Sequence, residues 1–530
     1  MKASVIRIRE ARPRQYHLIK RFCQCLGLAA ILLATNYGDL LGGGADVRMH
    51  VPFALRGIVV AQLADIFILA AFFFAILAPL SRTRLYPVLR LLLVILVPPY
   101  VLFRLQEQLP YMSINGVLTV IFIVWGTFSL VCYLRVQNVY RRLIRIGDAA
   151  GVFLFVFAAC SILQLFFVML WKPGPYQHIA AWAKTSQPAT PREHPRLVWI
   201  VFDELSFDQT FGHRSRELSL PNFDALRNQS TLFTNTQTIG TRTVKIIPSL
   251  LSGNVVDDTR FGFNNIFKVH YVGKHGWHPL DGSGTLFADA QKQGWRTAAV
   301  GWYNPYCTIY AGAIDDCYAM NLDRIDGDMA QRHSVWSNIY SPLAGLVREV
   351  KAPARSDRDS CTYDVRQRLQ TFLDLRQHAM QELQNDQADL TFLHMPVPHS
   401  PNIWNRNTDN FTSFCDSSYL DNLALADRTL GEMMKQLQAS PRWKDTTVIV
   451  QGDHSWRMYL WNNQPTWTEE DDAITRSGFD PRPALLIHRA GQTAPETDNS
   501  KWLLVKVHDV VEQVLHGGSA PQNVSQPTAP

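Results

Sequence analysis

Leu197-Val198-Trp199-Ile200-Val201-Phe202-Asp203-Glu204 is the stretch on which the fold turns. Six apolar residues in a row predict a strand buried on both faces, the kind that forms parallel sheets covered by helices. The run stops at two acids. Ligands of an open α/β sheet collect outside the carboxyl ends of its strands, so Asp203 and Glu204 are candidate metal ligands. A hydroxyl-rich turn follows, Thr238 to Thr243, and then the small-residue helix start Pro248-Ser249-Leu250-Leu251-Ser252-Gly253. A metal held by such carboxylates lowers the pKa of a hydroxyl beside it and makes an alkoxide nucleophile reachable near neutral pH.

Downstream, strands and helices alternate. Strands are expected at Thr297–Val300, Leu390–His394, Thr447–Gln451 and Ala484–Ile487. Helices are expected at Thr285–Gln293, Tyr363–Gln384, Leu420–Gln438 and Trp502–Leu515. That alternation predicts a largely parallel sheet with helices on both faces. Polar residues recur where strands end: Asp203 and Glu204, then His399 in His394-Met395-Pro396-Val397-Pro398-His399, then Asp453 and His454. Carboxylates with imidazole suit Zn²⁺ or Mn²⁺, whereas an all-oxygen site suits Mg²⁺ or Ca²⁺. His394 reads equally well as a buried strand residue satisfied by a backbone carbonyl.

Upstream, the chain changes character. It has 530 residues, enough for at least two units, and a formal net charge of +6. Much of that charge sits at the N-terminus, which speaks against nucleic-acid binding. Mean hydropathy is near zero only because the apolar residues are concentrated in the first third. Apolar runs occupy 21–41, 57–80, 85–103, 116–134 and 149–171, near the roughly 20 residues that a membrane span requires. Lys and Arg cluster in the leader (Lys2, Arg7, Arg9, Arg12, Arg14, Lys20), at Arg82 and Arg84, and at Arg135, Arg141, Arg142 and Arg145. Positive loops that alternate this way predict five spans with a cytoplasmic N-terminus, placing everything after Trp171 outside. The organisation expected is a basic leader at 1–20, five helices at 21–172, a linker at 173–196, an extracytoplasmic domain at 197–515 and a disordered tail at 516–530. An exterior location permits disulfides. Cys307 and Cys317 bracket a short loop, Cys361 with Cys415 is the remaining pair, and four free thiols are the alternative.

With these residues in view, the polar part resembles the sulfatase and alkaline-phosphatase superfamily. The matches run in order: Phe202-Asp203-Glu204-Leu205; Leu220-Pro221-Asn222-Phe223-Asp224-Ala225-Leu226; Thr231-Leu232-Phe233-Thr234-Asn235; Pro248 to Gly253; Thr285 to Ala298; Tyr419 to Gly431; and Gly452-Asp453-His454. The resemblance implies a sulfatase-like α/β sandwich with a mostly parallel central sheet. It implies a divalent metal (Zn, Mn, Mg or Ca) on Asp203, Glu204, Asp453 and His454, with His399 on the phosphoryl oxygens. Sulfatases carry a Cys or Ser, converted to formylglycine, within Cys-x-Pro-Ser-Arg. This chain has no such motif, and counting back from Leu250-Leu251 places Thr243 at that position, with Thr241 as the alternative nucleophile.

Threonine does not become formylglycine. A Thr nucleophile, an Asp-His pair and five spans together resemble the phosphoethanolamine and phosphoglycerol transferases and the lipoteichoic acid synthases. That likeness implies a membrane phospholipid donor, an envelope glycan or lipid acceptor, and a catalytic domain on the outer face of the inner (plasma) membrane. Two features depart from it. The next histidine after Asp453-His454 is the distant His488, and Asp203-Glu204 stands where those transferases have a single Glu, as in the hydrolase branch. The alternatives are a sulfatase-like hydrolase or phosphodiesterase, and a membrane-anchored binding protein without turnover.

Overall fold

The computed structural model describes residues 18–33, 55–81, 83–107, 115–170, 194–261, 267–304, 306–320, 335–336, 339–340, 342–344, 346, 357–385, 387–464 and 466–517. The expected leader up to 17, the linker between 171 and 193, the tail from 518, and the end of the first apolar run lie outside the described residues. The rest divides into two compact units. One holds the described residues up to 170 and those between 335 and 346, and the other holds the remainder.

In the first unit, α1 (18–32), α2 (Leu55–Leu80), α3 (Tyr86–Glu107), α4 (Asn115–Arg135) and α5 (Gln137–Leu170) fall on the five apolar runs, the first of them described only as far as 33. Among the described residues, two helices are long and apolar enough to cross a membrane, Val59–Leu80 and Gln137–Phe167. Tyr86–Tyr100 and Val120–Arg135 are shorter apolar helices. Support for membrane crossing thus comes from two helices, not the five expected. The fourth loop also differs from expectation. Only Val136 separates α4 from α5, so Arg141, Arg142 and Arg145 ride on a helix of 34 residues. No proline interrupts that stretch, and Gly147 alone does not end a helix. The helices pack through small residues: Gly27 meets Leu154 so closely that a Cβ there would lie 2.7 Å from its carbonyl carbon. Leu346 packs against the same cluster.

The second unit is built on an eight-stranded sheet. Its strands are β1 (Arg196–Phe202), β2 (Thr231–Phe233), β3 (Thr297–Trp302), β4 (Asp316–Met320), β5 (Leu390–Met395), β6 (Thr446–Gly452), β7 (Leu485–His488) and β8 (Glu496–Asp498). The spatial order is β8-β2-β7-β6-β1-β5-β3-β4. β7 pairs antiparallel with β6 and β2, and the other pairings are parallel. All seven residues of β1 are buried.

The two-residue period of a strand sorts that burial into two cores. Leu197, Trp199 and Val201 face one, and Val198, Ile200 and Phe202 face the other. The first core is closed by α7 (Thr243–Ser252), α8 (Leu286–Lys292) and α12 (Val507–Leu515), the second by α6 (Pro221–Arg227), α9 (Asp357–Asn385) and α10 (Tyr419–Ala439). Each large side chain so buried contributes about 2 kcal/mol, which is why the double-sided strand anchors the domain.

Three short sheet strands, β2, β4 and β8, lie beyond the expectation, as does a separate antiparallel sheet of Val256–Phe261, Phe267–Tyr271 and His278–Pro279. The final helix begins at Val507 rather than Trp502, because Trp502–Leu503 pairs with Thr236–Gln237. Both cysteine pairings form, with Cα separations of 5.5 Å for Cys307–Cys317 and 6.1 Å for Cys361–Cys415. The second ties α9 to the segment before α10. The four cysteines of the first unit are free.

Candidate active site

The register of the central strands sets out the site. Phe202 lies beside Gly452 on one flank and Met395 on the other, so Asp203, Asp453 and the turn after Met395 leave the sheet side by side. Asp203 N–H donates to the Met395 carbonyl at 3.0 Å, and His399 N–H to the Asp203 carbonyl at 3.1 Å. Gly452 permits the approach: a Cβ there would sit 2.5 Å from the Leu205 carbonyl oxygen.

α7 delivers the hydroxyl. Arg242 is extended (φ −127°, ψ 117°), and Thr243 is the first residue of the helix. Val244, Ile246, Ile247, Leu250 and Leu251 bury the apolar face of α7, and Gly253 ends it in the left-handed region at φ 66°. Thr243 is 4% exposed. Its Oγ1 donates to Asp453 Oδ2 at 2.8 Å and stands 3.4 Å from Asp203 Oδ2. Thr241, the alternative nucleophile, is exposed, and its carbonyl accepts from Arg457 Nη1 at 3.0 Å. Lys245 turns away and bonds to the Asp257 carbonyl.

Asp203, Asp453 and His454 offer ligand atoms that all lie within 4.8 Å of one another. His454 Nε2 is 3.6 Å from Asp203 Oδ1 and 3.3 Å from Asp453 Oδ2. Asp453 Oδ1 accepts the N–H groups of Glu204 and His454, at 3.2 and 2.8 Å. Asp203 Oδ1 and His454 Nε2, both fully buried, have no hydrogen-bond partner. Buried polar atoms are nearly always paired, and a convergent set left short is the mark of a cation site. Burial, then the charge of Asp453, raises the Asp203 pKa well above the usual carboxylate range. Burial likewise raises Asp453 and lowers His454 to about 3. Two carboxylates and an imidazole in such surroundings fit a divalent cation, which would relieve all three penalties.

Glu204 was expected in this set, and the structure places it elsewhere. Its backbone is left-handed (φ 65°), which swings the side chain off the line of Asp203. Its carboxylate accepts from Arg457 Nε at 2.6 Å and from Trp461 Nε1 at 3.0 and 3.1 Å. Tyr419 Oη donates to the Glu204 carbonyl at 2.8 Å and fixes the turn. Trp461 closes the short helix α11 (Met458–Trp461), which follows β6. Burial opposes the charge of Arg457, but Glu204 and then Asp203 outweigh it and hold its pKa above the usual value.

His399 packs between the rings of Trp302 and Trp461, with centroids 5.3 and 5.1 Å away. Burial, then the cations Arg368 and Arg457, holds its pKa well below the usual value, so the ring is neutral. Its Nδ1 contacts the Ser400 carbonyl, which leaves Nε2 for a substrate. Arg368 of α9 lies 4.2 Å over the Trp302 ring and donates to the carbonyls of Pro396 and Ser400 at 3.1 and 3.0 Å.

The sequence reading did not single out Arg368 or Trp461, because a charge on an amphipathic helix and a tryptophan in a loop carry no spacing signal. Trp302 and Tyr306 are completely buried, so they support the site from within the core and do not line an open cleft. His394, also fully buried, meets Tyr306 Oη through Nδ1 at 2.7 Å and has the Trp302 backbone as a hydrogen-bonding neighbour. His488 lies at the far end of β7, paired with Val448, where it bonds to the Gln229 carbonyl and stacks on Trp443.

The family model described as Sulfatase matches residues 195–515. No curated protein matches the chain. Solved structures of similar fold include a phosphonate monoester hydrolase of Agrobacterium radiobacter, with 14% identity, 61% of this chain and 74% of that one covered, and a TM-score of 0.38. Lipoteichoic acid synthase LtaP from Listeria monocytogenes gives 14% identity, coverage of 61% and 72%, and a TM-score of 0.37. The PsFucS1 sulfatase from Pseudoalteromonas sp. gives 14% identity, coverage of 61% and 68%, and a TM-score of 0.39. The match to the family model spans the whole sheet and every residue of the site, and the chain belongs to the sulfatase family.

Proposed function

We propose that the protein is a membrane-bound, metal-dependent transferase that moves a phospho-linked group, of the phosphoethanolamine or phosphoglycerol type, through a covalent intermediate on Thr243. The observation that carries this reading is the buried Thr243 hydroxyl, 2.8 Å from Asp453 Oδ2 at the start of a helix. A threonine there is a direct nucleophile, and it has no route to the formylglycine of sulfate-ester hydrolysis. Asp203, Asp453 and His454 would hold a divalent cation, which supplies charge neutralisation for the non-bridging oxygens and a lowered hydroxyl pKa.

Thr243 Oγ1 bonds to phosphorus as the ester oxygen of the donor departs, and the threonine proton ends on that oxygen. In the second half, an acceptor hydroxyl attacks phosphorus, the bond to Oγ1 breaks, and the acceptor's proton returns to Thr243. Neutral His399, its Nδ1–H held by the Ser400 carbonyl, presents the Nε2 lone pair to the hydroxyl of the acceptor, while Arg457 and Arg368 offset the negative charge of the phosphoryl oxygens. The N-terminus of α7 adds its own favourable field. The apolar helices of the first unit support a phospholipid donor, and the alternating Lys and Arg with the two disulfides support an extracytoplasmic domain in a five-span membrane protein. The acceptor proposed is an envelope glycan or lipid.

A hydrolase is the second reading, favoured by the Asp203-Glu204 pair. Purified full-length protein with labelled phospholipids separates the two. Transfer predicts diacylglycerol release and a mass adduct on Thr243, absent in Thr243→Ala. Free headgroup with no acceptor product, or turnover that survives Thr243→Ala, would sink it.

A further inference from the structure

We propose that His394 faces the cation of this centre through Nε2, as a fourth side chain of the site, and that Tyr306 is the positioning residue that fixes its ring. The inference rests on reading Asp203, Asp453 and His454 as a metal centre. It is independent of whether the reaction is transfer or hydrolysis.

His394 is completely buried near the end of β5, in register with Val201 of β1 and Gly301 of β3. Its Nε2 has no hydrogen-bond partner and lies 3.9 Å from Asp203 Oδ2. That separation is well beyond a hydrogen bond, whose heavy atoms approach to about 3 Å. It is the separation expected of two ligands of one ion, since bonds of about 2.0–2.2 Å set donor atoms roughly 3 to 4 Å apart. The spacings of His454 Nε2 to Asp203 Oδ1 and Asp453 Oδ2, 3.6 and 3.3 Å, fall in that window too.

The other side of the ring agrees. Nδ1 sits 2.7 Å from Tyr306 Oη. When Nδ1–H donates to that oxygen, Nε2 presents a lone pair to the Asp203 carboxylate, and the two repel unless a cation lies between them. The opposite tautomer would aim an N–H at an acceptor it does not reach. A ligating histidine characteristically spends its second nitrogen on a fixed partner of this sort. The sheet also makes room for that partner: a Cβ on Gly301, opposite His394, would lie 2.5 Å from the Tyr306 ring. Gly301, Tyr306, His394 and Asp203 thus form a continuous line from the core to the centre.

The test uses full-length protein in detergent, stripped of metal and titrated with Zn²⁺ against a competing chelator. The electronic absorption spectrum of the Co²⁺ form is the second readout. His394→Gln is expected to weaken Zn²⁺ binding by about 100-fold and to shift the Co²⁺ bands, and Tyr306→Phe to weaken it by about 10-fold. His399→Ala is expected to keep wild-type Zn²⁺ affinity. Unchanged affinity and spectrum in His394→Gln would overturn the inference. If that variant does not fold, Tyr306→Phe, which keeps the ring volume, decides: wild-type affinity and spectrum there overturn it equally. A wild-type protein that binds neither ion would overturn the metal reading and this inference together.

Discussion

Asp203 and Glu204 are neighbours on one turn, carry the same functional group, and are both completely buried. Their carboxylates have opposite fates. Glu204 is satisfied inside the protein by Arg457 and Trp461. Asp203 keeps one oxygen without a partner and the other 3.4 Å from a hydroxyl. A buried acid whose acceptor sites are all filled by the chain holds architecture. One left short beside a second acid and an imidazole is held in reserve for something the chain does not contain. The left-handed backbone at Glu204 separates the two roles within a single peptide unit.

The largest expected effect falls on the unsatisfied acid. Asp203→Asn should lower turnover by about 1000-fold or more and abolish thermal stabilisation by added metal. In chelator its melting temperature should equal or exceed wild type, since one of two facing buried carboxylates is gone. A variant that still responds to metal like wild type would break the comparison.

Glu204→Gln should do the reverse. It strips the buried Arg457 of its main counter-charge and should cost about 3 kcal/mol of stability, read by denaturant unfolding. Metal stoichiometry, measured by elemental analysis, should stay at the wild-type value. Loss of metal in this variant would return Glu204 to the ligand set.

A third buried acid gives a smaller, pH-dependent contrast. Burial, then Asp316, raises the pKa of Glu382 to about 7, with Arg196 opposing. Because the folded value lies above the unfolded one, its favourable contribution is full below the ordinary glutamate pKa and is lost as pH rises through about 7. Glu382→Gln should therefore flatten the decline in stability between pH 5 and 9, a gain on the order of 2 kcal/mol at the alkaline end. Identical pH profiles for wild type and variant would contradict this. Least affected is His488→Phe: its ring stacks on Trp443 at the far end of the sheet, and turnover should change by less than about two-fold.

The central strands, the helices on both faces and the Asp453-His454 tip were legible in the sequence, because double-sided apolar runs and their polar ends follow from burial alone. Thr243 was reached only through the family resemblance, by its spacing to Leu250-Leu251, and the structure places its hydroxyl 2.8 Å from Asp453 Oδ2. Glu204 was not legible, since a positive φ at a non-glycine residue leaves no pattern in composition. β2, β4 and β8 are three to five residues long, too short for periodicity to separate them from loops. His394 stayed ambiguous because its role depends on Tyr306, a partner 88 residues away. The break between α4 and α5 was placed too generously because arginines, expected in a loop, are also good helix formers.

The residues of the centre come from four separate parts of the chain. Asp203 and Thr243 are 40 residues apart, and Thr243 and Asp453 are 210 apart. β1, which carries Asp203, has as its two neighbours strands that begin at Leu390 and Thr446. Contacts of such long range form late, after most of the loop-closure entropy has been met. A growing or truncated chain that stops before His454 holds a hydroxyl and an acid but no centre. The centre is therefore assembled only once β6 and the Asp453-His454 tip that follows it have been made, so strand order itself withholds the chemistry from incomplete chains.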